Sequence, residues 1–190
     1  INYEKMGQHL HIPLQSGSDK ILNLMGRKYT TNEYIDLIYK IKAKYPNINI
    51  STDIITGFPG ETEEDFKNNI DIIKKCKFSH IHTFKYSKRN DTPAASMPLQ
   101  VEEHIKGQRS KVIRDLSSKL NNEYKEKQIG KNFKVLIEQY KTGSDNINYA
   151  EGFTDNYIKV LIPNCNIIKG KFARVKITEL RESQVIAKLI

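Results

Sequence analysis

The stretch Asn49-Ile50-Ser51-Thr52-Asp53-Ile54-Ile55-Thr56-Gly57-Phe58-Pro59-Gly60-Glu61-Thr62-Glu63-Glu64-Asp65-Phe66 decides the fold. Asn49 to Ile55 is short, rich in Ile and Thr and bounded by turn residues, so it reads as a strand buried on both faces. Gly57 and Gly60 allow backbone angles and close approaches that a Cβ would block, and Pro59 stiffens the turn between them. Thr62, with Asp65 three residues later, has the form of an N-cap pair, and Glu61, Glu63 and Glu64 suit the positive end of a helix dipole. A strand running through a Gly-Pro-Gly turn into a capped helix is where parallel α/β folds place their ligands.

Working outward, His9 to Gln15 reads as an earlier strand, followed by the loop Ser16 to Asp19 and a short helical stretch carrying Ile21, Leu22 and Met25. Thr30 and Glu33 fit a capping box, and Tyr34, Leu37, Ile38 and Ile41 form the apolar stripe of a helix that stops before Pro46. The last strand of this region is Phe78 to Phe84. Three strands alternating with helices imply parallel units with right-handed crossovers, and three strands make an incomplete sheet.

A composition shift near Thr92-Pro93-Ala94-Ala95 closes the α/β region, and a long helix follows in which Val101, Ile105, Val112, Leu116, Leu120 and Tyr124 recur at near-helical spacing, with Gly107 a weak point. Beyond Gly130 the period changes. Phe133 to Glu138, Tyr149 to Phe153, Tyr157 to Ile162, Phe172 to Glu179 and Gln184 to Leu189 read as five strands, which suggests a small OB-like β-barrel. The expected organisation is an α/β unit over 1–98, a connecting helix over 99–128 and an all-β barrel over 129–190.

The chain has 190 residues, 38% hydrophobic and 28% charged, in the range of a soluble globular protein. It has no apolar run of bilayer length and no secretory leader, and it opens on Ile1 almost directly into a strand, as a piece of a longer polypeptide would. Cys76 and Cys165 are far apart, which favours a reducing, cytoplasmic setting and excludes a cysteine-ligated metal site built from this chain alone. The net charge of +9 is uneven: residues 1–99 carry 14 basic and 11 acidic side chains, residues 100–190 carry 17 and 11. A basic second half suits a polyanion, although a Lys-rich solvated surface has the same composition.

Candidate site residues follow from strand periodicity. Ser51, Asp53, Ile55 and Gly57 share one face of their strand, and a carboxylate beside apolar and glycine surface suits a ribose and its adenine. The alternative is that Asp53 only caps or pairs locally. His9 and His11 share a face of the first strand, as do His80 and His82 of the third, and two H-x-H pairs could make a divalent-metal site as in metal-dependent hydrolases. Asp53 is the one dependable carboxylate near them. On the barrel, Tyr149, Phe153, Tyr157, Lys159, Lys171, Arg174 and Lys176 supply the aromatic and basic materials of a nucleic-acid surface, about half of the rings being needed for the core.

The segments HLHIPLQSGSDKILNLMGRKYT (9–30), STDIITGFPGETEEDF (51–66) and FSHIHTFKYSKRNDTPAA (78–95), in that order and spacing, closely resemble the radical SAM methylthiotransferases, and the C-terminal barrel resembles their TRAM domain. HIHTFKYSKR followed by TPAA looks most like the MtaB branch, which acts on threonylcarbamoyl-adenosine in tRNA. The MiaB branch, acting on isopentenyl-adenosine, usually has Arg-Pro-Gly where this chain has Arg89-Asn90-Asp91, and RimO, which modifies a ribosomal protein, is a more distant match; the alternative from another class is a free-standing RNA-binding module whose α/β part is only a scaffold. The resemblance implies an enzyme that uses S-adenosylmethionine and two 4Fe-4S clusters to place a methylthio group on an adenine, with tRNA as partner. It also implies that the CxxxCxxC motif and the second set of cluster cysteines belong to an N-terminal half missing from this chain, which by itself would be inactive. Carried over residue by residue, it implies cofactor contacts at Gln15, Ser16, Asp53, Ile55, Gly57 and, more weakly, near Tyr86. Glu61 falls four residues after Gly57 rather than three, so a helix-start role is expected of it instead.

Overall fold

The computed structural model describes residues 7–190 and divides them into two units, one of Leu10–Leu120 and one of Asn121–Ile190 with the described residues up to His9. The first unit is a three-stranded sheet in the order β1 (His9–His11), β2 (Asn49–Thr56), β3 (His80–Lys85), flanked by helices α1 (Asp19–Leu24), α2 (Thr31–Lys44), α3 (Glu63–Cys76), α4 (Pro93–Ser96) and α5 (Glu103–Glu126), the last continuing into the second unit. β2 and β3 run parallel, with Ser51 opposite His80, Asp53 opposite His82 and Ile55 opposite Phe84.

The period of β2 sets the layers. Ile50 and Ile54 turn toward the helices and are at most 2% exposed, in one core with Leu14, Ile38, Ile73, Phe78 and Ile113. Burying each such side chain is worth about 1.5–3 kcal/mol. Thr52 lies on the same face and is tolerated there because its hydroxyl accepts from the Leu14 amide at 2.9 Å and donates to the Ile12 carbonyl at 2.8 Å. Both helix starts read from the sequence are capping boxes, Thr30 with Glu33 and Thr62 with Asp65.

The first strand is shorter than its hydrophobic run suggests. β1 stops at His11 because Pro13 has no amide to give the ladder, and the chain rejoins β2 as an isolated parallel bridge at Gln15, whose φ is 70°. The loop beyond it is pinned to α3. The Gly17 amide donates to Asn69 Oδ1 at 2.5 Å, and a Cβ on Gly17 would lie 2.7 Å from the Asn68 carbonyl oxygen. Asp65 accepts from Ser18 Oγ at 2.7 Å and from Lys20 Nζ at 2.5 Å.

The face of α5 also differs from the apolar stripe in the sequence. Lys106, Arg109, Ser110, Ile113 and Ser117 are its buried residues, while Val112 is exposed. Polar groups on the other elements account for this: Ser117 Oγ accepts from the Ile81 amide at 2.9 Å, and Arg109 meets Glu61.

The second unit is a closed five-stranded barrel, β4 (Asn132–Thr142), β5 (Asn148–Thr154), β6 (Lys159–Pro163), β7 (Phe172–Arg181) and β8 (Gln184–Leu189), in the order β4-β5-β6-β8-β7. Only β6 and β8 pair in parallel. Register shifts between Ile137 and Gln139 and between Ile177 and Glu179 bend the two long strands, as closure of so small a barrel requires. Val135, Ile137, Val160, Ile162, Val175 and Val185 fill the interior. Gly152 permits the tight pairing of β5 with β4, since a Cβ there would sit 2.0 Å from the Leu136 carbonyl oxygen.

Candidate functional site

The face of the sheet turned away from the helices carries a polar row and an apolar row. Ser51, Asp53 and Ile55 project there from β2, and the parallel register sets His82 beside Asp53 and Phe84 beside Ile55. His11 of β1 completes the polar row on the other side: its Nε2 is 3.1 Å from Asp53 Oδ1 and its Nδ1 is 2.9 Å from Ser51 Oγ. The His82 ring meets the His11 ring edge-on at 5.4 Å and the His80 ring at 4.5 Å. Ile55 is half-buried and Phe84 is 53% exposed, so an apolar shelf lies one step closer to the strand ends.

Of the residues expected to contact a cofactor, Gln15, Asp53 and Ile55 are brought together. The Gln15 amide donates to the Asp53 carbonyl at 2.8 Å and its carbonyl accepts from the Ile55 amide at 2.9 Å, so the positive φ of Gln15 serves to clip it to β2. Ser16 is 1% exposed, and its hydroxyl accepts from the Ser18 amide at 3.2 Å, which gives it a loop-shaping role. The position of the Cβ that Gly57 lacks is filled by the Lys106 stem, so this glycine accommodates α5. Tyr86 belongs to the same packing: its ring stands 5.3 Å from Phe58 and under Lys106 Nζ at 5.4 Å, and its amide donates to the Thr56 carbonyl at 2.9 Å.

Glu61 does not start the helix; Thr62 and Asp65 do. The Glu61 carboxylate reaches back to accept from the Gly57 amide and lies 3.3 Å from Arg109 Nη1, with its side chain 1% exposed. Burial pushes its pKa up against the opposing pull of the Gly57 amide and Arg109. No periodicity argument reveals this role, because it depends on a helix more than forty residues downstream.

Among the expected RNA-contacting residues, Tyr149 is the least exposed. Its ring is 5% exposed, packed with Leu161, Ile186 and Ile147 in a small cluster outside the barrel interior, and its hydroxyl donates to Asp145 Oδ2 at 2.7 Å. Tyr157 is 60% exposed and stands in a three-ring stack, 4.9 Å from His9 and 4.8 Å from Phe153. Lys159 lies 2.7 Å from Glu151 Oε1, and Lys141 lies 2.9 Å from the other oxygen of that carboxylate. Lys171, Arg174 and Lys176 are exposed. The sequence reading missed Lys134 and Phe172, which are neighbours of this basic face: Lys134 pairs with Arg174 across β4 and β7, and its Nζ is 4.1 Å over the Phe172 ring. Their places one residue off the buried Val135 and Ala173 were the available signal.

Iron–sulfur ligation finds no support among the described residues. Cys76 and Cys165 are both buried and lie in different units, and burial raises the Cys76 thiol to about 11. Three grouped thiolates are needed for a 4Fe-4S cluster. Among the described residues no helix is long and apolar enough to cross a membrane.

Residues 2–73 match the model of the radical SAM superfamily. The threonylcarbamoyladenosine tRNA methylthiotransferase MtaB of Bacillus subtilis is 41% identical over 174 residues, covering 92% of this chain and 39% of that protein. Two proteins named tRNA-2-methylthio-N(6)-dimethylallyladenosine synthase are as similar: that of Acetivibrio thermocellus is 46% identical over 94% of this chain and 37% of its own length, and that of Campylobacter jejuni strain 81-176 is 39% identical over 100% and 43%. The chain therefore spans about two fifths of the length of these relatives. Over residues 2–73 the chain is thus similar to the radical SAM superfamily, and over most of its length it is similar to part of the tRNA methylthiotransferases.

Proposed function

We propose that the chain is the part of a tRNA methylthiotransferase that receives the adenosine portion of S-adenosylmethionine on its three-stranded sheet and contacts tRNA through its barrel at 129–190. The observation that supports the first role is the pairing of a half-exposed carboxylate, Asp53, with the apolar shelf of Ile55 and Phe84 one residue pair further along the strands. A ribose has two vicinal hydroxyls to donate to Asp53, and an adenine matches the shelf in size and polarity. Gln15, clipped by its backbone to Asp53 and Ile55 at the same strand end, is the proposed partner of the remaining polar groups. When bound, S-adenosylmethionine would supply a carbon radical on reductive cleavage. The clusters that drive this need ligands other than the residues described here, so this chain alone is expected to be inactive.

The substrate proposed is threonylcarbamoyl-adenosine, on the resemblance of residues 80–95 to the MtaB branch. The 46% identity to the Acetivibrio protein favours a second reading, the isopentenyl-adenosine branch. Mass spectrometry of tRNA from cells lacking the full-length protein separates the two by which methylthiolated nucleoside disappears. The cofactor role is tested in the full-length protein by Asp53→Asn: a hydrogen bond to a charged acceptor is worth about 1.5–3 kcal/mol, so affinity for S-adenosylmethionine should drop about ten- to a hundredfold. tRNA binding should stay close to that of the parent. Equal calorimetric affinity for the cofactor would remove Asp53 from the site.

A further inference from the structure

The His11–Asp53–His82 row is built like a mononuclear metal centre. The three side chains come from three adjacent strands, so the sheet fixes their spacing without help from a loop. Their nearest donor atoms all lie within 4.8 Å of one another. The His11 Nε2 to Asp53 Oδ1 separation is 3.1 Å, and two donors each about 2.0–2.1 Å from one ion stand about 2.9–3.4 Å apart at octahedral to tetrahedral angles. The second nitrogen of His11 is already committed to Ser51 Oγ at 2.9 Å, the outer hydrogen bond that orients metal-binding imidazoles and selects their tautomer. The row is open on one side: Asp53 is half-buried, and His11 and His82 are exposed.

The geometry points to a divalent-cation site formed by His11, Asp53 and His82, with Ser51 as its outer support and one or more positions left for water or a ligand. Two imidazoles and one carboxylate are a borderline donor set, which selects Zn2+, Fe2+, Co2+ or Ni2+ over Mg2+ and Ca2+. The site differs from the two within-strand H-x-H pairs of the sequence reading, because it takes one histidine from each pair and joins them across β2. It does not depend on the S-adenosylmethionine reading, although both use Asp53, since a carboxylate that gives one oxygen to an ion keeps the other for a hydroxyl.

The test is a titration of the chain with Zn2+ by calorimetry and with Co2+ by visible absorption. One equivalent is expected to bind, with the d–d bands of a four- or five-coordinate nitrogen and oxygen site and no thiolate-to-cobalt charge-transfer band. His82→Ala and Asp53→Asn should each lower affinity by more than a hundredfold, Ser51→Ala by about tenfold, and the distant His104→Ala should have no effect. Circular dichroism of each variant controls for folding, and Asp53→Asn, being isosteric, keeps the test valid if an alanine variant fails that control. Absence of stoichiometric binding, or binding unchanged in the well-folded variants, would overturn the proposal. The two roles of Asp53 separate at His82→Ala in the full-length protein, which removes the ion and leaves affinity for S-adenosylmethionine intact.

Discussion

Replacing Asp65 by Asn should weaken the first unit in a way that depends on pH. Asp65 is both the third residue of the α3 capping box and the anchor of the Ser18–Lys20 loop. It accepts from the Thr62 amide and hydroxyl, each at 2.8 Å, as well as from Ser18 Oγ at 2.7 Å and Lys20 Nζ at 2.5 Å. Burial by itself would raise its pKa, but the bonds from Lys20, Thr62 and Ser18 together outweigh it and bring the carboxyl from 3.8 to about 2. At about 1.4 kcal/mol per unit, the ionised form contributes at most about 2.5 kcal/mol to folding. A depressed folded-state pKa means that this contribution is complete above the unfolded value of 3.8 and disappears as pH falls through about 2. Urea unfolding of the parent and Asp65→Asn, followed through α3 amide resonances, should show a gap of about 2 kcal/mol at pH 7 that narrows steadily below pH 4. A gap of the same size at pH 7 and pH 2.5 would mean that shape, and not charge, makes Asp65 useful, and would refute the reasoning.

Other expectations are simpler to state. Gly152→Ala should disrupt the barrel, because the added carbon would overlap the Leu136 carbonyl and backbone cannot step aside as a side chain can; a loss of more than about 2 kcal/mol in barrel stability is expected, measured by amide exchange on β4 and β5. Changing Lys171, Arg174 and Lys176 together to Ala should weaken binding of labelled tRNA to the chain at least about tenfold, and equal binding would place RNA recognition elsewhere. Anaerobic reconstitution of the chain should yield no stoichiometric acid-labile sulfide and no iron–sulfur absorption, in keeping with its two separate buried cysteines.

Local signals carried most of the architecture. The capping pairs at Thr30 and Thr62, the Gly-Pro-Gly turn and five evenly spaced β segments each act over a few residues, and each was readable where it stood. What escaped depends on register between distant strands or on one helix laid against another element. His11, Asp53 and His82 are separated by roughly thirty to forty positions each, and only the offset of β1 and β3 against β2 makes them neighbours. The packing of Lys106 against Gly57 is hidden for a related reason, since a glycine that admits a neighbouring side chain leaves the same trace in the sequence as one that admits a ligand. The burial of Tyr149 has a similar cause, since its strand face, outward by alternation, is roofed by Ile147, Leu161 and Ile186.

The carboxylate of Glu151 bears on the polyelectrolyte behaviour of the barrel. Its side chain is 6% exposed, and it gives Lys141 and Lys159 a fixed, covalently attached counter-charge. A nucleic acid gains affinity for a basic surface largely by expelling condensed small ions as lysines and arginines neutralise its phosphates. A lysine already neutralised by its own protein has less to add to that exchange. The slope of log affinity against log salt should therefore count fewer charges than the basic side chains visible on the face, with Lys171, Arg174 and Lys176 contributing more than Lys159. Removing the carboxylate, as in Glu151→Gln, would release both lysines, steepen that slope and make the barrel bind polyanions more avidly and less selectively, while depriving the fold of an anion whose pKa its partners hold at about 2.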